Sequence, residues 1–590
     1  MTQVATDSFA AAWSLYTQGQ VSQAEQAFTK LVQAHPGWGE ALHMRGVCLL
    51  QLKQHGAALP ALQSAAQYTP QDPSVHSNLG LVLRALHRHA EALAAYDKAL
   101  QLKPDFAQAW ANRGNALRDM GQGDEAIASY QQALQCQPHY AQAWHGLGLA
   151  FGDVKRWTDS LAAFDAALAQ KPDYAVAYMD RGNTLREMER VPEALQSYER
   201  ALQLHPQYAQ AWSNRGVVLK RLGRMDDAAA SYERAITLDA GFVDAIVNYA
   251  TLLKDMMRVP AAVAMNERAL ALDPDNSGAH LNLAICHLVT GNWGPGWQHY
   301  EWRWKTDQLK DGVRTFAQAQ WRGESLQGKT ILLHAEQGLG DTLQFCRFTQ
   351  VLAARGARVL LEVQAPLLAL LAPLPGVHGL IARGQTLPAF DLHCPLLSVP
   401  LALGLTLEKM PQAQAYLQAD AALAHTWAAK VGTASVLRVG VVWSGRPEHK
   451  NDHNRSIPLA EFRCVFRPEH RYHCLQKEFR PADVQTLSTC SDVAVWDSEL
   501  HSFSDTAALI ASMDLVVSVD TSVAHLAAAM GKPVWLLLPF SPDWRWVVGR
   551  DDSPWYPRMR LFRQPDTGQW APVLAQIHQA LGLLTRSQET

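Results

Sequence analysis

Asp520 closes the apolar run Leu515–Val519 and is followed at once by Thr521, Ser522 and a small-residue stretch carrying His525. That order places a carboxylate at a strand end and a helix start beside it. Thr521 or Ser522 can cap the helix, and its unpaired N–H groups then attract an anion such as a diphosphate. Asp520 is left to accept hydrogen bonds from ligand hydroxyls, and His525 lies one turn further in. The plainer alternative has Asp520 as the cap and His525 as a packing residue. A second cluster, GLGD, holds Gly338, Gly340 and Asp341. The glycines permit a ligand to approach the backbone closely. Asp341 would open a helix, where the dipole lowers a carboxyl pKa and weakens a base unless burial offsets it. A third, SGRPEHKNDHNRSIPLAEF at 444–462, carries Arg455, with Lys450 as a second cation. Arginine can hold two phosphate oxygens at once, and a cation plus helix termini can stabilise a departing diphosphate without a metal. The alternative is a solvated charged loop. His449 and His453 stand four apart without a third ligand, so no metal is expected there. Gln476 and Lys477 close another apolar run and are candidates for the same ligand.

These residues need strands that end together. KTILLHA, ARVLLEV and GLIA follow from 329, and VLRVGVVW, YHCLQ, DVAVWD, DLVVSVD and PVWLLLP from 436. Continuously apolar strands alternating with helical stretches predict parallel sheets covered on both faces. Two doubly wound, Rossmann-like units are expected, at 326–434 and 435–590, with ligands bound outside their strand carboxyl ends. The pattern alone fits a transferase, an epimerase or a dehydrogenase.

The amino-terminal half keeps a different beat. Pro36, Pro70, Pro104, Pro138, Pro172, Pro206 and Pro274, with Ala240 in register, recur every 34 residues, and Gly46, Gly80, Gly114, Gly148, Gly182 and Gly216 share the period. This resembles tetratricopeptide repeats, helical hairpins that stack because one hairpin cannot bury its own apolar face. About eight to nine repeats are expected over 1–305, giving an all-α solenoid. Asn78, Asn112, Asn214, Asn248 and Asn282 fall at multiples of the period on the groove-facing helix, with Gly146 and Asp180 interrupting. A row of amides can bind an extended peptide backbone, or is simply a polar residue copied with the repeat. The aromatic stretch NWGPGWQHYEWRW from 292 should cover the end of the array and join it to the carboxy-terminal half, with a linker at 306–325.

The 590 residues exceed a single core, and the net charge of −3 without a basic run makes nucleic acid and anionic membranes poor partners. Eight scattered cysteines without a CxxC pair suit a reducing compartment. The opening MTQVATDSFAAAW lacks the basic start and apolar stretch of a secretion signal. A cytoplasmic protein without membrane insertion is expected.

The segment DTSVAHLAAAMGKPVWLLLP at 520–539, with GLGDTLQF at 338–345, resembles glycosyltransferase family 9, the bacterial heptosyltransferases. The resemblance implies a GT-B fold and inverting, metal-independent transfer from a nucleotide sugar. It also implies Asp341 as the base, Arg455 as the phosphate-neutralising cation, and Asp520, Thr521, Ser522 and His525 on the donor. No cofactor beyond the nucleotide sugar as substrate is implied. Where the family usually carries proline six residues after the aspartate, this chain has Arg347, which leaves the acceptor side open. The layout also resembles protein O-GlcNAc transferases, though the carboxy-terminal motifs do not. A glycosyltransferase acting on a protein recruited by the repeat groove is the leading reading. A scaffold with an inactive transferase half, and a transferase of glycan or lipid-linked acceptors, remain alternatives.

Overall fold

The computed structural model describes residues 3–307, 309–411, 415–433, 435–448 and 451–584. It divides into two compact units, the first ending at Ala245 and the second starting at Ile246.

The first unit is an array of helical hairpins, such as Ala107–Asp119 with Gly123–Cys136 and Ala209–Arg221 with Met225–Leu238. The recurring glycine sets how closely each pair packs. A Cβ on Gly80 would lie 2.5 Å from the Tyr96 ring, and one on Gly114 2.8 Å from Tyr130. Those rings are fully buried, and the Tyr130 and Tyr198 hydroxyls donate to Asn115 and Asn183 at 2.7 and 2.8 Å. The period also appears in the backbone. The turn inside each hairpin needs a left-handed residue, met by Gly19, Gly121 and Gly223 and, at strain, by Lys53, His87, Lys155 and Glu189 at φ 57–60°.

The second unit begins with the last hairpins, including Val259–Leu272, Ser277–Val289 and Trp293–Tyr300. Two parallel sheets come next. The first has the order β1-β5-β2-β3-β4 (Ala319–Gln320, Leu392–Pro395, Thr330–His334, Arg358–Val363, Val377–Ala382). The second has the order β11-β10-β9-β6-β7-β8 (Met559–Arg563, Val534–Leu538, Leu515–Val519, Arg438–Val442, Arg471–Cys474, Val493–Ala494). β2, β3, β6, β9 and β10 are almost wholly buried, as their largely apolar runs require, with His334 in β2, Glu362 in β3 and Ser518 in β9 the buried polar exceptions. The all-α repeat array followed by two α/β sheets is the architecture the sequence predicts.

Two boundaries differ from expectation. The compact second unit takes in the last repeats, because their aromatics pack on the connection between β10 and β11: Trp293 stacks on Trp555 at 5.1 Å, and Trp297 meets Trp544 edge-on at 5.2 Å. The expected linker at 306–325 is partly sheet. β1 pairs with β5, the Trp321 amide donates to the His393 carbonyl at 2.8 Å, and Phe316 covers Leu332, Leu360 and Ile381. A two-residue strand is too short to show a period, which is why the sequence reads as connector.

Candidate functional site

A cleft of about 770 Å³ opens at the carboxyl ends of β6, β7 and β9. Val442, Ser444, Leu475, Gln476, Thr521 and Ser522 line it from the second sheet, and Leu339 and Pro366 from the first. The helix Ser522–Ala529 starts at its wall with no side chain capping its first turn. Thr521, not Asp520, is the N-cap residue, and its hydroxyl lies 3.3 Å from Ser518 Oγ. The first-turn N–H groups of Ser522 and Val523 therefore remain available to an anion.

Asp520 stands just behind this wall. Trp546 Nε1 donates to its Oδ2 at 2.8 Å, and Arg455 Nη1 donates to its carbonyl at 2.8 Å. Burial, with Asp543 adding to it, pushes the Asp520 carboxyl up to about 6. His525 is buried, its Nδ1 3.0 Å from the Tyr556 hydroxyl and its ring stacked on Trp546 at 5.3 Å. Burial lowers its pKa well below the ordinary value, so the ring is neutral. His525 lines no part of the cleft.

Asp341 opens the helix Leu339–Phe345, where its Oδ2 accepts the Gly338 amide at 2.7 Å. Its other oxygen is ion-paired with Arg545, whose Nε and Nη1 donate to Gln344 Oε1 at 2.7 Å and Asp543 Oδ1 at 2.8 Å. The glycines of this turn do something other than admit a ligand. A Cβ on Gly340 would sit 3.2 Å from His525 and 3.5 Å from the Ser522 Cα, so Gly340 lets the helices of the two halves touch. Gly338 has an ordinary φ of −70° and faces Asp341.

The expected cation is also spent elsewhere. Arg455 fits into space left by Gly445, binds the Asp520 carbonyl and lies 3.5 Å from Asp452, outside the cleft lining. Lys450 and His449 lie outside the described residues. Among the described residues, the arginines and lysines that line the cleft are Arg446, Lys477 and Arg480, and Arg480 is also paired with Asp452. Gln476 lines the cleft but uses its amide as a brace, accepting from Trp443 N at 2.7 Å and donating to Ser444 Oγ at 2.9 Å. Among the described residues, no group of three or more His, Cys, Asp or Glu is placed to hold a metal. Nor is any helix long and apolar enough to cross a membrane.

Arg347 replaces the expected proline for a structural reason. It is buried, donates to the carbonyls of Gln344 and Trp555 at 3.0 and 2.7 Å and to Tyr416 Oη at 3.1 Å, and sits over the Tyr416 and Tyr556 rings.

The asparagine row is uneven. Asn78 Nδ2 lies 2.8 Å from His43, Asn214 Nδ2 donates to Asn183 at 2.9 Å, and Asn248 is half-buried. Asn112 Nδ2 is covered without a hydrogen-bond partner. Asn282 departs from the expected groove amide: it is buried and donates inward to Thr251 at 2.9 Å. In the first unit, a groove cavity of about 1060 Å³ is lined by Val47, Leu50, Asn78, Leu81, Arg84 and Gln108, among others.

Comparison with known proteins respects the same division. Residues 9–74 and 179–241 match the tetratricopeptide repeat, and 80–121 and 114–154 match a second TPR model. Residues 501–540, which contain the helix Ser522–Ala529 and its approach strand, match glycosyltransferase family 9 (heptosyltransferase). Two kinds of segment are thus matched: tetratricopeptide repeats within residues 9–241 and, over residues 501–540 alone, glycosyltransferase family 9. Protein FlbA of Caulobacter vibrioides is 28% identical over 325 residues, 50% of this chain and 54% of FlbA. The chain thus spans about half the length of the curated relative it matches. Among solved structures, the APC/C hetero-tetramer Cut9–Hcn1 is 16% identical with a TM-score of 0.38, covering 47% of this chain and 54% of that one. YrrB, described as a TPR protein with an unusual peptide-binding site, is 24% identical with a TM-score of 0.28, covering 32% and 96%.

Arg545, Trp546, Arg446 and Arg480 were not singled out from sequence. The alternation of Trp and Arg in DWRW, directly after the family segment, is the one signal that could have drawn attention to the first two.

Proposed function

We propose that the carboxy-terminal half transfers a sugar from a nucleotide-sugar donor to an acceptor hydroxyl, and that the repeat groove recruits a protein acceptor. One observation carries the donor assignment. The uncapped helix start at Thr521–Val523 and the cations Arg446, Lys477 and Arg480 converge on one cleft at the strand carboxyl ends. A diphosphate there meets amide N–H groups and positive charge together, which stabilises the leaving group as its charge grows. Asp520, behind the Thr521 wall and outside the cleft lining, with Oδ2 taken by Trp546, meets the sugar through Oδ1 as it seats, and Ser522 and Thr521 face the diphosphate. Arg455 contributes by fixing the Asp520 carbonyl. Asp341 is the base that takes the acceptor proton, in an inverting displacement with no metal. The first-unit amides of Asn78, Asn112 and Asn214 hold the acceptor's backbone.

The test is a binding and transfer screen of the full chain. UDP-, GDP-, ADP-, dTDP- and CMP-sugars are first ranked by thermal shift. Those that stabilise it are then followed by mass spectrometry for release of the nucleotide and gain of sugar mass on co-purified protein. The reading expects at least one nucleotide sugar to raise the melting temperature and to be consumed, with EDTA present as without it. No stabilisation by any of the five overturns it.

A further inference from the structure

Residues 540–550 form an irregular loop between β10 and β11, and it touches three parts of the second unit at once. Trp544 packs on Trp297 at 5.2 Å and Tyr300 at 5.7 Å, both from the last repeat helix. The Val548 amide donates to the Val289 carbonyl at 2.9 Å, a second bond to the repeats. Between these anchors, the neighbours Arg545 and Trp546 reach in different directions. Arg545 takes Asp341 of the first half, and Trp546 Nε1 takes Asp520 of the second at 2.8 Å.

We propose that Arg545 and Trp546 are positioning residues, which together set where the carboxylates of Asp341 and Asp520 stand relative to each other. The proposal rests on the transferase reading for its chemistry, but its geometry stands on this loop.

The arrangement is over-determined, as a positioning device must be. The Arg545 side chain is 9% exposed, lies 4.2 Å from the Trp544 ring, and is held by Asp543 and Gln344 as well as by Asp341. It therefore cannot follow Asp341; Asp341 must come to it. The Trp546 ring is likewise fixed by its stack on His525. The groups that face Asp341 are Arg545 from the loop, Glu336 from its own turn and Tyr300 from the last repeat helix, while Asp543 shares Arg545 with it and His525 packs against its neighbour Gly340. Glu336 is itself tied to the repeat end by Arg303, at 2.9 Å. Asp520 faces Arg455, Arg545, Asp543 and His525. Arg545 is thus the cation paired with Asp341, and Trp546 the N–H donor to the Asp520 carboxylate.

A guanidinium at contact distance keeps a carboxylate ionised to lower pH, at the cost of basicity. Asp341 can then take the acceptor proton only as the reaction draws it off Arg545, or through Oδ2, which accepts the Gly338 amide. Either way, the protonation midpoint of Asp341 is set by Arg545.

The experiment uses the full chain and four substitutions: Arg545→Gln, Arg545→Lys, Trp546→Phe and, as the spectroscopic reference, Asp341→Asn. Carboxylate infrared bands are titrated with pH, and the Asp341 band is isolated by difference against Asp341→Asn. In Arg545→Gln the midpoint should move up by about one to three pH units, the range for losing an opposite charge at contact. Arg545→Lys, which keeps the charge and folds if the glutamine does not, should recover at least half of that movement. Trp546→Phe keeps the ring on His525 and should leave the Asp341 midpoint alone while raising that of Asp520. For a nucleotide sugar found to be consumed, the acid limb of its pH–rate profile should follow the infrared midpoint. An unchanged Asp341 midpoint in both arginine variants, or an equal movement in Trp546→Phe, refutes the assignment and leaves the loop as packing only. Movement of the midpoint with no nucleotide sugar consumed retains the positioning and refutes the transferase reading instead.

Discussion

Replacing Asp520 by asparagine should stabilise this protein at neutral pH while removing donor binding. Burial and Asp543 raise the Asp520 carboxyl to about 6 from an ordinary 3.8. Its folded value is raised, so its contribution to stability is fully present below the unfolded value and is lost as pH rises through 6. A rise of about two pH units, at ~1.36 kcal/mol each, amounts to roughly 3 kcal/mol at most withheld from the folded state above pH 7. That is an upper figure, since 17% of the side chain meets solvent. Asparagine has nearly the same shape, keeps an oxygen for Trp546 Nε1 and carries no charge at any pH. The two proteins should therefore melt together near pH 4 and separate as pH rises. At about 2.1 cal/mol/K of unfolding entropy per residue in a unit of 345 residues, the gap should reach about 4 °C at most by pH 7.5. Differential scanning calorimetry across pH 4–8, with second-unit melting followed by tryptophan emission, reads this directly. The same variant should lose the thermal shift that a nucleotide sugar gives the parent. Parallel melting curves at every pH refute the argument that Asp520 is held charged against its environment.

Three further outcomes rest on local geometry. Arg347→Met should lower second-unit stability by about 3 kcal/mol, because three buried acceptors lose a charged donor, and denaturant titration checks it. In the first unit, two substitutions should act in opposite directions by helical circular dichroism. Gly80→Ala drives a methyl into the buried Tyr96 ring and costs about 1–3 kcal/mol, whereas Lys155→Gly relieves a left-handed backbone at φ 60° and gains about 0.5–1 kcal/mol. Arg446→Ala and Lys477→Ala should each weaken binding of UDP or GDP, whichever binds the parent, by about 1.5–3 kcal/mol in calorimetric titration, with Tm unchanged.

The repeat array was legible in sequence because its determinants are local and periodic. Gly114 and Tyr130 meet within one hairpin, and a 34-residue beat repeats that meeting along the chain. The parallel sheets were legible for a similar reason: β6, β9 and β10 are buried on both faces, so apolar residues dominate them, as in Val439–Val442, Leu515–Val517 and Val534–Leu538, and such runs are visible without partners. Asp520, Thr521 and Ser522 were legible as a strand end meeting a helix start. What the sequence does not carry is which charges find each other. Arg455 looked like a free cation, yet Gly445 makes room for it to bind a backbone carbonyl. Gly340 looked like a ligand-side glycine, yet it is the point where two helices from distant segments touch. Arg545 and Asp341 are 204 positions apart, and no spacing rule links them. A strand or a hairpin is set by neighbours a few residues away. The partner of a buried charge is set by whichever opposite charge or dipole the completed fold brings within hydrogen-bond reach, and only the tertiary structure decides that.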